Sequence, residues 1–354
     1  AAFIVLLNHA RGHLFVGGNA YLVEHNNWWD WLLIAVLQVT SLGPQAVIVF
    51  FVLSGLSIAH SIAVGGGGWG FYLRRVIRLY PPYLGGLVLA WLVYLMFRSY
   101  PVEGIAIDSV FENLRKSAEN LLYLPNGRLI PQYWSLTHEV IFYFCAPLVA
   151  TGFGWRVFLL VATGAYLLGW WVEPKSVLLR FLIDYMVYFA VGVAVYHRLD
   201  FVRNALTVRN AKFCGWLSCA FVLIIVCALK FSERLSFVLA ALLSVYLIVN
   251  LVYHHVAPTG VEWLGKISYS LYVSHFSSIY ICVFCLSHAG VDIPSKRPWL
   301  WVVSVPVALL LAFVFYSVFE KPSVTILKRW RMKRQMVLQP ATQGECRSNR
   351  GGVM

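Results

Sequence analysis

Long apolar stretches recur along almost the whole chain, and short polar segments separate them. Each stretch has about 20 residues, the length that an α-helix needs to cross a hydrocarbon core of about 30 Å. The alternation of polar and apolar residues over about ten positions, typical of an outer-membrane β-strand, is not the pattern here. We therefore predict an all-α, polytopic transmembrane helix bundle of about ten spans, at approximately 1–16, 43–63, 79–97, 133–151, 155–172, 177–197, 212–230, 234–253, 265–287 and 299–319.

A Trp-rich segment at 28–42 does not fit this series of spans. It is apolar, but Gly43 and Pro44 separate it from the next apolar run. Tryptophan is enriched where a membrane meets water, and paired Gly and Pro residues interrupt regular structure. We interpret the segment as an interfacial or re-entrant helix.

The composition agrees with a membrane protein and excludes an ordinary soluble domain. Hydrophobic residues make up 60% of the chain, charged residues 12%, and the mean hydropathy is +0.72, against about 45–50% and about 25% in soluble domains. Six of the seven cysteines lie in apolar runs, which favours small core hydrophobes over disulfides or metal ligands. The first run lacks a basic leader and a small-residue cleavage site, so we expect residues 1–16 to be a retained helix.

The basic residues indicate an orientation in the membrane. The net charge is +13, but in a membrane chain a basic excess records topology, and we predict no nucleic-acid partner. Basic residues cluster at 74–78, 198–212 and 328–334, whereas acidic and basic residues are mixed at 98–132. We predict that the three basic segments face the cytoplasm, with the protein in the cell inner membrane. The predicted organisation is a transmembrane domain at 1–327 and a basic, disordered cytoplasmic tail at 328–354.

The first apolar run contains ionisable side chains at positions where apolar side chains, facing lipid or a neighbouring helix, would be expected. A histidine inside such a run is costly unless it faces a cavity or a partner, so His9 is a functional candidate. His13 lies one turn further along the same helix face. Packing of the two histidines between helices is an equally open interpretation, and a metal site is disfavoured because the sequence supplies no further ligands in a known pattern.

Further polar residues stand near the ends of other spans. On a continuous helix, Arg75 and Arg78 would share a face and could clamp a polyphosphate, although a topology signal is an equally good interpretation. Glu139 could orient a catalytic imidazole or act as an interfacial cap. Ser54 and Gly55 form a small-residue pair that favours helix packing.

His275 and Glu320 also approach the bilayer and need partners. Each is weak evidence alone. Ionisable and small polar side chains in several separate spans nevertheless indicate a shared polar cavity.

In this order, the polar segments resemble the acyltransferase 3 family, integral-membrane enzymes that O-acylate sugars and other extracytoplasmic acceptors. The resemblance covers nearly the whole chain. The matching segments are AAFIVLLNH ending at His9, FFVLSG at 50–55, RRVIRLYPPY with an R-x-x-R element at Arg75 and Arg78, WSLTHEVIFY with Glu139, ISYSLYVSH with His275, and FEKP with Glu320. Two positions depart from the family pattern: an Arg before the first helix would precede Ala1, and an acidic residue is replaced by Ile48.

The resemblance implies that His9 is the catalytic base or a transient acyl carrier, with Glu139 and Glu320 as catalytic carboxylates. It implies acyl-CoA, most often acetyl-CoA, as the cytoplasmic co-substrate and a carbohydrate or glycolipid hydroxyl as the acceptor, without a metal. The residues that it implies in substrate binding are Ser54, Arg74, Arg75, Arg78, Trp134, Ser135 and His275.

Two other functions remain open from the sequence. A polytopic transporter or flippase would use the same buried polar residues as a substrate path, although the paired half-helices of inverted repeats are not evident. A scaffold for polysaccharide export would not need His9. The sequence names neither the acceptor nor the oligomeric state.

Overall fold

The computed structural model describes residues 1–102, 131–149, 154–206, 232–254 and 259–338, together with residues 216, 217, 219, 220, 223 and 224. Every regular element within these residues is helical, and one isolated bridge joins Phe15 to Ser295. The predicted all-α fold is confirmed. Most of the predicted seventh span, at 212–230, and most of the segment at 98–132 lie outside the described residues.

Fourteen helices can be followed along this part of the chain. They are α1 (Ala2–Leu14), α2 (Gly18–Glu24), α3 (Trp28–Leu37), α4 (Gly43–Gly65), α5 (Trp69–Ser99), α6 (Trp134–Val149), α7 (Gly154–Leu168), α8 (Val177–His197), α9 (Leu199–Leu206), α10 (Glu233–His254), α11 (Thr259–Lys266), α12 (Ser268–His288), α13 (Ser304–Phe315) and α14 (Lys321–Leu338). A π turn at Phe181–Tyr185 interrupts α8, and another at Tyr316–Glu320 joins α13 to α14.

Six helical segments of the described chain are long and apolar enough to cross a membrane. They are Trp28–Gly65, Trp69–Ser99, Val177–His197, Glu233–Asn250, Ser268–His288 and Leu300–Trp330. The protein is therefore a multi-pass membrane protein, while ten separate spans are not established. Three predicted spans correspond to shorter helices, since α1, α6 and α7 have 13, 16 and 15 residues.

The Trp-rich segment forms a helix of its own. A 3₁₀ turn at Gln38–Ser41 separates α3 from α4, and Trp28, Trp29 and Trp31 are exposed. The backbone N–H of Asn27 donates to the Asp30 carboxylate at 3.1 Å at the start of α3. A short helix with exposed tryptophans is the structure expected of an interfacial segment.

Helix α5 begins ten residues earlier than the predicted span at 79–97. It starts at Trp69 and contains Pro81 and Pro82, so the arginines of this region lie on its first turns and not in a loop. Charged residues and a proline pair suggested a boundary, but prolines are tolerated in membrane helices where neighbouring groups satisfy freed carbonyls. Pro81 and Pro82 cannot donate to the carbonyls of Ile77 and Arg78, and the Tyr269 hydroxyl donates to the next carbonyl, that of Leu79, at 2.9 Å.

The bundle is built around α4 and α12. Helix α4 packs most extensively on α8 and also contacts α1, α6 and α10, whereas α12 packs on α13, α1 and α5. An ideal Cβ at Gly55 would lie 2.1 Å from the Phe189 carbonyl oxygen, and one at Gly192 would lie 2.0 Å from that of Val52. The backbones of α4 and α8 therefore touch, and the predicted packing role is confirmed at Gly55.

The end of α1 is fixed by the loop that follows α12. Val16 N–H donates to the Ser295 carbonyl at 3.1 Å, and Ser295 N–H donates to the Leu14 carbonyl at 2.9 Å. Nearby, the Lys296 ammonium lies 2.5 Å from the Glu24 carboxylate, and this hydrogen bond lowers the pKa of that carboxyl below its ordinary value. These contacts set the position of α1 against α12.

The predicted disordered tail at 328–354 is wrong in its first part. Helix α14 continues to Leu338, so residues 328–338 are helical. Residues 339–354 lie outside the described part of the chain. Two of the basic residues of this segment, Lys328 and Arg329, are exposed.

Candidate active site

Two histidines from opposite ends of the chain meet where α1 packs on α12. The ring of His9 lies 5.4 Å from that of His275, centroid to centroid, with an interplanar angle of 25°. The His9 ring is also 4.5 Å from Phe276. His9 is half-buried, and His275 is fully buried. We call these two side chains the imidazole pair.

His13 lies on the same face of α1, as its one-turn spacing from His9 predicts. Its ring is 5.4 Å from each of Phe276 and Tyr280. Arg11 points elsewhere, because its Nη1 donates to the Leu37 carbonyl at 2.8 Å. This guanidinium caps the last turn of α3.

His275 is held in one tautomer by a backbone contact. Its Nδ1 lies 2.8 Å from the Tyr272 carbonyl oxygen. A carbonyl oxygen only accepts hydrogen bonds, so Nδ1 of the neutral ring carries the proton and Nε2 carries the lone pair. Within the described residues, this buried Nε2 has no hydrogen-bond partner.

A polar line runs along α6 beside the imidazole pair. Ser135, Glu139 and Tyr143 follow one another at four-residue spacing and share one helix face; we call them the α6 stripe. The Ser135 and Tyr272 hydroxyls are hydrogen-bonded at 2.5 Å, which joins the stripe to α12. Ser54 Oγ donates to Glu139 Oε1 at 3.1 Å, and the Tyr143 hydroxyl donates to the same oxygen.

The start of α6 lies inside the bundle. Gln132 and Tyr133 are buried. Gln132 Nε2 donates to the Val273 carbonyl at 3.3 Å, and the Tyr133 hydroxyl donates to the Tyr83 carbonyl at 3.5 Å. Hydrogen bonds to α5 and α12 thus place the first residue of the stripe in the protein interior.

His138 does not join this polar line, although it is adjacent to Glu139 in sequence. Successive residues of a helix point about 100° apart, and the His138 ring packs against Phe51, Trp134 and Tyr185. The structure therefore places Trp134 among these aromatic rings rather than beside His9. Its neighbour Ser135 lies in the α6 stripe.

The three arginines of α5 have different surroundings. Arg74 is buried, and its Nη2 donates to the carbonyls of Gly65 and Gly66 at 3.4 and 3.3 Å, so it caps the end of α4. The Arg75 guanidinium lies 5.4 Å from the ring centroids of both Phe71 and Tyr143. Arg78 is exposed. Arg75 and Arg78 are within electrostatic range of the Tyr143 hydroxyl, at the end of the stripe.

Glu320 lies at the end of the π turn between α13 and α14. Its Oε2 accepts from the Ser270 hydroxyl at 2.6 Å and from the Ser270 N–H at 3.3 Å. Arg78 lies within electrostatic range of this buried carboxylate. Glu320 therefore joins the start of α12 to the arginine-bearing part of α5.

The expected contact between His9 and a carboxylate is not found in the described chain. Glu139 is bonded to Ser54 and Tyr143, and Glu320 is bonded to Ser270. The rings beside His9 are those of Phe276 and His275. Among the described residues, no group of three His, Cys, Asp or Glu side chains could hold a metal ion.

Sequence reasoning missed several polar residues of this interior. Tyr143 could have been found, because it lies one turn after Glu139. Ser270 and Tyr272 lie in the ISYSLYVSH segment, and Ser270, Ser274 and Ser278 recur at helical spacing along α12. Small polar residues repeated on one face of an apolar helix are a signal of interhelical hydrogen bonding.

The fold and the interior polar residues together define a multi-pass membrane protein with a buried polar site. The chain belongs to the acyltransferase 3 family, because the family model, described as an acyltransferase domain, matches residues 1–317. Residues 1–317 thus form an acyltransferase domain of this family. It is also similar to acyltransferase MdmB of Streptomyces mycarofaciens, with 32% identity over 122 residues. That alignment covers 32% of this chain and 30% of MdmB. No solved structure matches the chain.

Proposed function

We propose that this protein transfers an acyl group, most often acetyl, from cytoplasmic acyl-CoA to a hydroxyl of an extracytoplasmic or membrane-associated glycan. The α6 stripe supports this proposal most directly. It forms a line of polar groups through an apolar bundle, with Arg75 and Arg78 at one end and the imidazole pair beyond Tyr272 at the other. Polar residues inside a membrane are costly, so a continuous line of them indicates a substrate path.

The arginine end of the stripe suits the phosphates of the donor. Arg75 and Arg78 are three residues apart on one continuous helix, and forked guanidinium donors bind phosphate oxygens well. The positive-inside rule places this basic end at the cytoplasm, where acyl-CoA is available. We therefore place the protein in the cell inner membrane, with the end of α1 and the loop after α12 on the opposite side.

The length of the stripe fits a donor with an extended arm. Ser135 and Tyr143 are eight residues apart, so their Cα atoms differ by about 12 Å along the axis of α6. A donor held by its phosphates at Arg75 and Arg78 would need an arm of at least this length to present its thioester to His9. The hydroxyls and the carboxylate of the stripe can bond the polar groups of such an arm.

His9 supplies the chemistry in this proposal. As a general base, it removes the proton of the acceptor hydroxyl while the oxygen attacks the thioester carbon. The new C–O bond forms, the C–S bond breaks, and the proton passes from His9 to the leaving thiolate. In the alternative route, the His9 imidazole first takes the acyl group and then passes it to the hydroxyl.

The test is acyl transfer from labelled acetyl-CoA by purified protein in lipid vesicles. His9→Ala should reduce the rate by about 10²–10⁴, the usual contribution of a general base, while donor binding stays unchanged because the phosphates bind elsewhere. His13→Ala is the matched control on the same helix face and should lose far less. Acyl transfer by His9→Ala at more than about a tenth of the wild-type rate would contradict the proposal.

The acceptor can be identified in cells. Mass spectrometry of surface glycans from wild-type and deletion strains should show an acyl group that is lost with the protein. Transport of a glycan by the purified protein without acyl transfer would instead favour the transporter interpretation.

A further inference from the structure

Among the described residues, His275 Nε2 is one of several buried polar atoms without a hydrogen-bond partner, and its ring is the one that stacks beside His9. An unsatisfied buried acceptor is costly, and nearly all such groups in proteins are paired. Nδ1 donates its proton to the Tyr272 carbonyl. The neutral ring therefore cannot change to the tautomer with the proton on Nε2 without losing that hydrogen bond. In the described chain, Nε2 remains without a partner. A group that donates a hydrogen bond to it during the reaction would remove this cost.

The side chain placed to do so is His9. Its ring stacks beside that of His275 at 5.4 Å, and the other aromatic neighbours of His275, Tyr272 and Phe276, stand on its own helix. Phe276 has no polar hydrogen, and the Tyr272 hydroxyl is bonded to Ser135 and to the Gln132 carbonyl. Rotation of the neutral His9 ring about its Cβ–Cγ bond would turn its single N–H toward Nε2. Catalytic hydrogen bonds are often poorly aligned before substrate binds.

We propose that His275 is a positioning residue for His9, an inference that rests on the proposed catalytic role of His9. His275 Nε2 accepts the N–H of one His9 nitrogen, so the lone pair of the other nitrogen faces the acceptor hydroxyl. When His9 takes the proton of that hydroxyl, both of its nitrogens carry hydrogen, and His275 holds the imidazolium in place. The proton then goes to the thiolate, and none passes to His275.

In this pairing, His275 has the role that the carboxylate has in a Ser-His-Asp triad, because it orients the catalytic imidazole. The carboxylates considered for that position, Glu139 and Glu320, are bonded to other residues. A neutral imidazole orients its partner without burying a further charge in the membrane, where an uncompensated carboxylate would be costly. The acid that is replaced by Ile48 in this sequence would therefore not be needed for orientation.

The test compares His275→Phe with His275→Gln in the vesicle assay. Phenylalanine keeps a ring of similar size but has no acceptor, whereas the glutamine amide reaches the position of Nε2 and can accept a hydrogen bond. We expect His275→Phe to lower kcat about ten- to hundredfold, the effect of one buried hydrogen bond, with the KM values of donor and acceptor unchanged. His275→Gln should recover part of kcat.

His138 provides the matched control. It is buried, and its Nδ1 has no partner among the described residues, but it stands among aromatic rings. The same two substitutions at His138 should leave kcat unchanged. A general effect of replacing a buried histidine would lower kcat at both positions and would overturn the proposal.

The remaining outcomes separate this inference from the proposed function. Wild-type kcat in His275→Phe, or a higher kcat in His275→Phe than in His275→Gln, would mean that the ring only packs, while an inactive His9→Ala would still support the proposed function. An active His9→Ala would overturn both.

If His275→Phe does not fold, His275→Gln is compared with His275→Asn, whose shorter amide reaches only the Nδ1 position. Equal kcat in these two variants would overturn the positioning role.

Discussion

At the scale of single residues, three arginines on adjacent turns of α5 differ in what their guanidinium groups contact. Arg74 bonds the carbonyls at the end of α4, Arg75 lies over two aromatic rings, and Arg78 is exposed. Substitution should therefore separate their roles. Arg75→Ala and Arg78→Ala should each weaken acyl-CoA binding about tenfold or more, because a charge-assisted hydrogen bond contributes roughly 1.5–3 kcal/mol.

Arg74→Ala is the internal control for these two variants. It should lower the melting temperature by removing a cap from α4, with little change in acyl-CoA affinity. Lysine at 75 or 78 should restore only part of the binding, since it lacks the forked donors. Isothermal titration of purified protein with acyl-CoA measures the affinities. Wild-type affinity in both alanine variants would make Arg75 and Arg78 topology signals only.

The residue-level predictions from sequence succeeded where partners lie on the same helix. His9 and His13 share a face because they are four residues apart, and the same spacing would have identified Tyr143 beside Glu139. Contacts between helices could not be derived from spacing. Ser54 bonds Glu139, Ser270 bonds Glu320, and His275 lies beside His9; one sequence contains no information on which helices are neighbours.

At the scale of helices, the contact between α4 and α8 depends on two glycines. Because Gly55 and Gly192 let the two backbones touch, even a methyl group at either position must push the helices apart. We expect Gly55→Ala and Gly192→Ala to lower the melting temperature by several degrees or to reduce the yield of folded protein. Fluorescence-detected size exclusion during heating measures both effects.

Gly164 on α7 is the matched control for this prediction. An added Cβ there meets nothing within 4 Å, so Gly164→Ala should be neutral or slightly stabilising, as expected when alanine replaces glycine in a helix. Equal stability of all three alanine variants would show that α4 and α8 do not touch through these glycines. The close contact of α4 with α8 would then not explain how Ser54, next to Gly55, is positioned to bond Glu139.

The helix boundaries show why apolar pattern alone was insufficient. The pattern located α4, α8, α10 and α12 to within a few residues, because each is a long apolar run with few charges. It placed the start of α5 too late, since it assigned the arginines at 74–78 to a basic segment before the span. In a membrane protein, arginines and prolines can remain within a helix. Neighbouring helices can bond the carbonyls that a proline frees, and an arginine can reach the polar membrane surface.

At the scale of the whole molecule, the proposed direction of transfer requires a particular orientation. Cysteines placed at Lys296 and at Arg198, both exposed, should report opposite sides of the membrane in a background without the seven native cysteines. A membrane-impermeant maleimide added to intact cells should label Lys296→Cys and not Arg198→Cys. The reverse result would place the arginine end of the α6 stripe outside and would remove acyl-CoA as a cytoplasmic donor.

The pairing of α1 with α12 also has a consequence for biosynthesis. Helix α1 emerges from the ribosome long before its partner α12, because ten other helices lie between them in the described chain. Until then, His9 is a polar side chain without its interior neighbours, and α1 lacks the bridge between Phe15 and Ser295. A chain that ends before α12 therefore cannot assemble the imidazole pair, and under the proposed mechanism it has no active site.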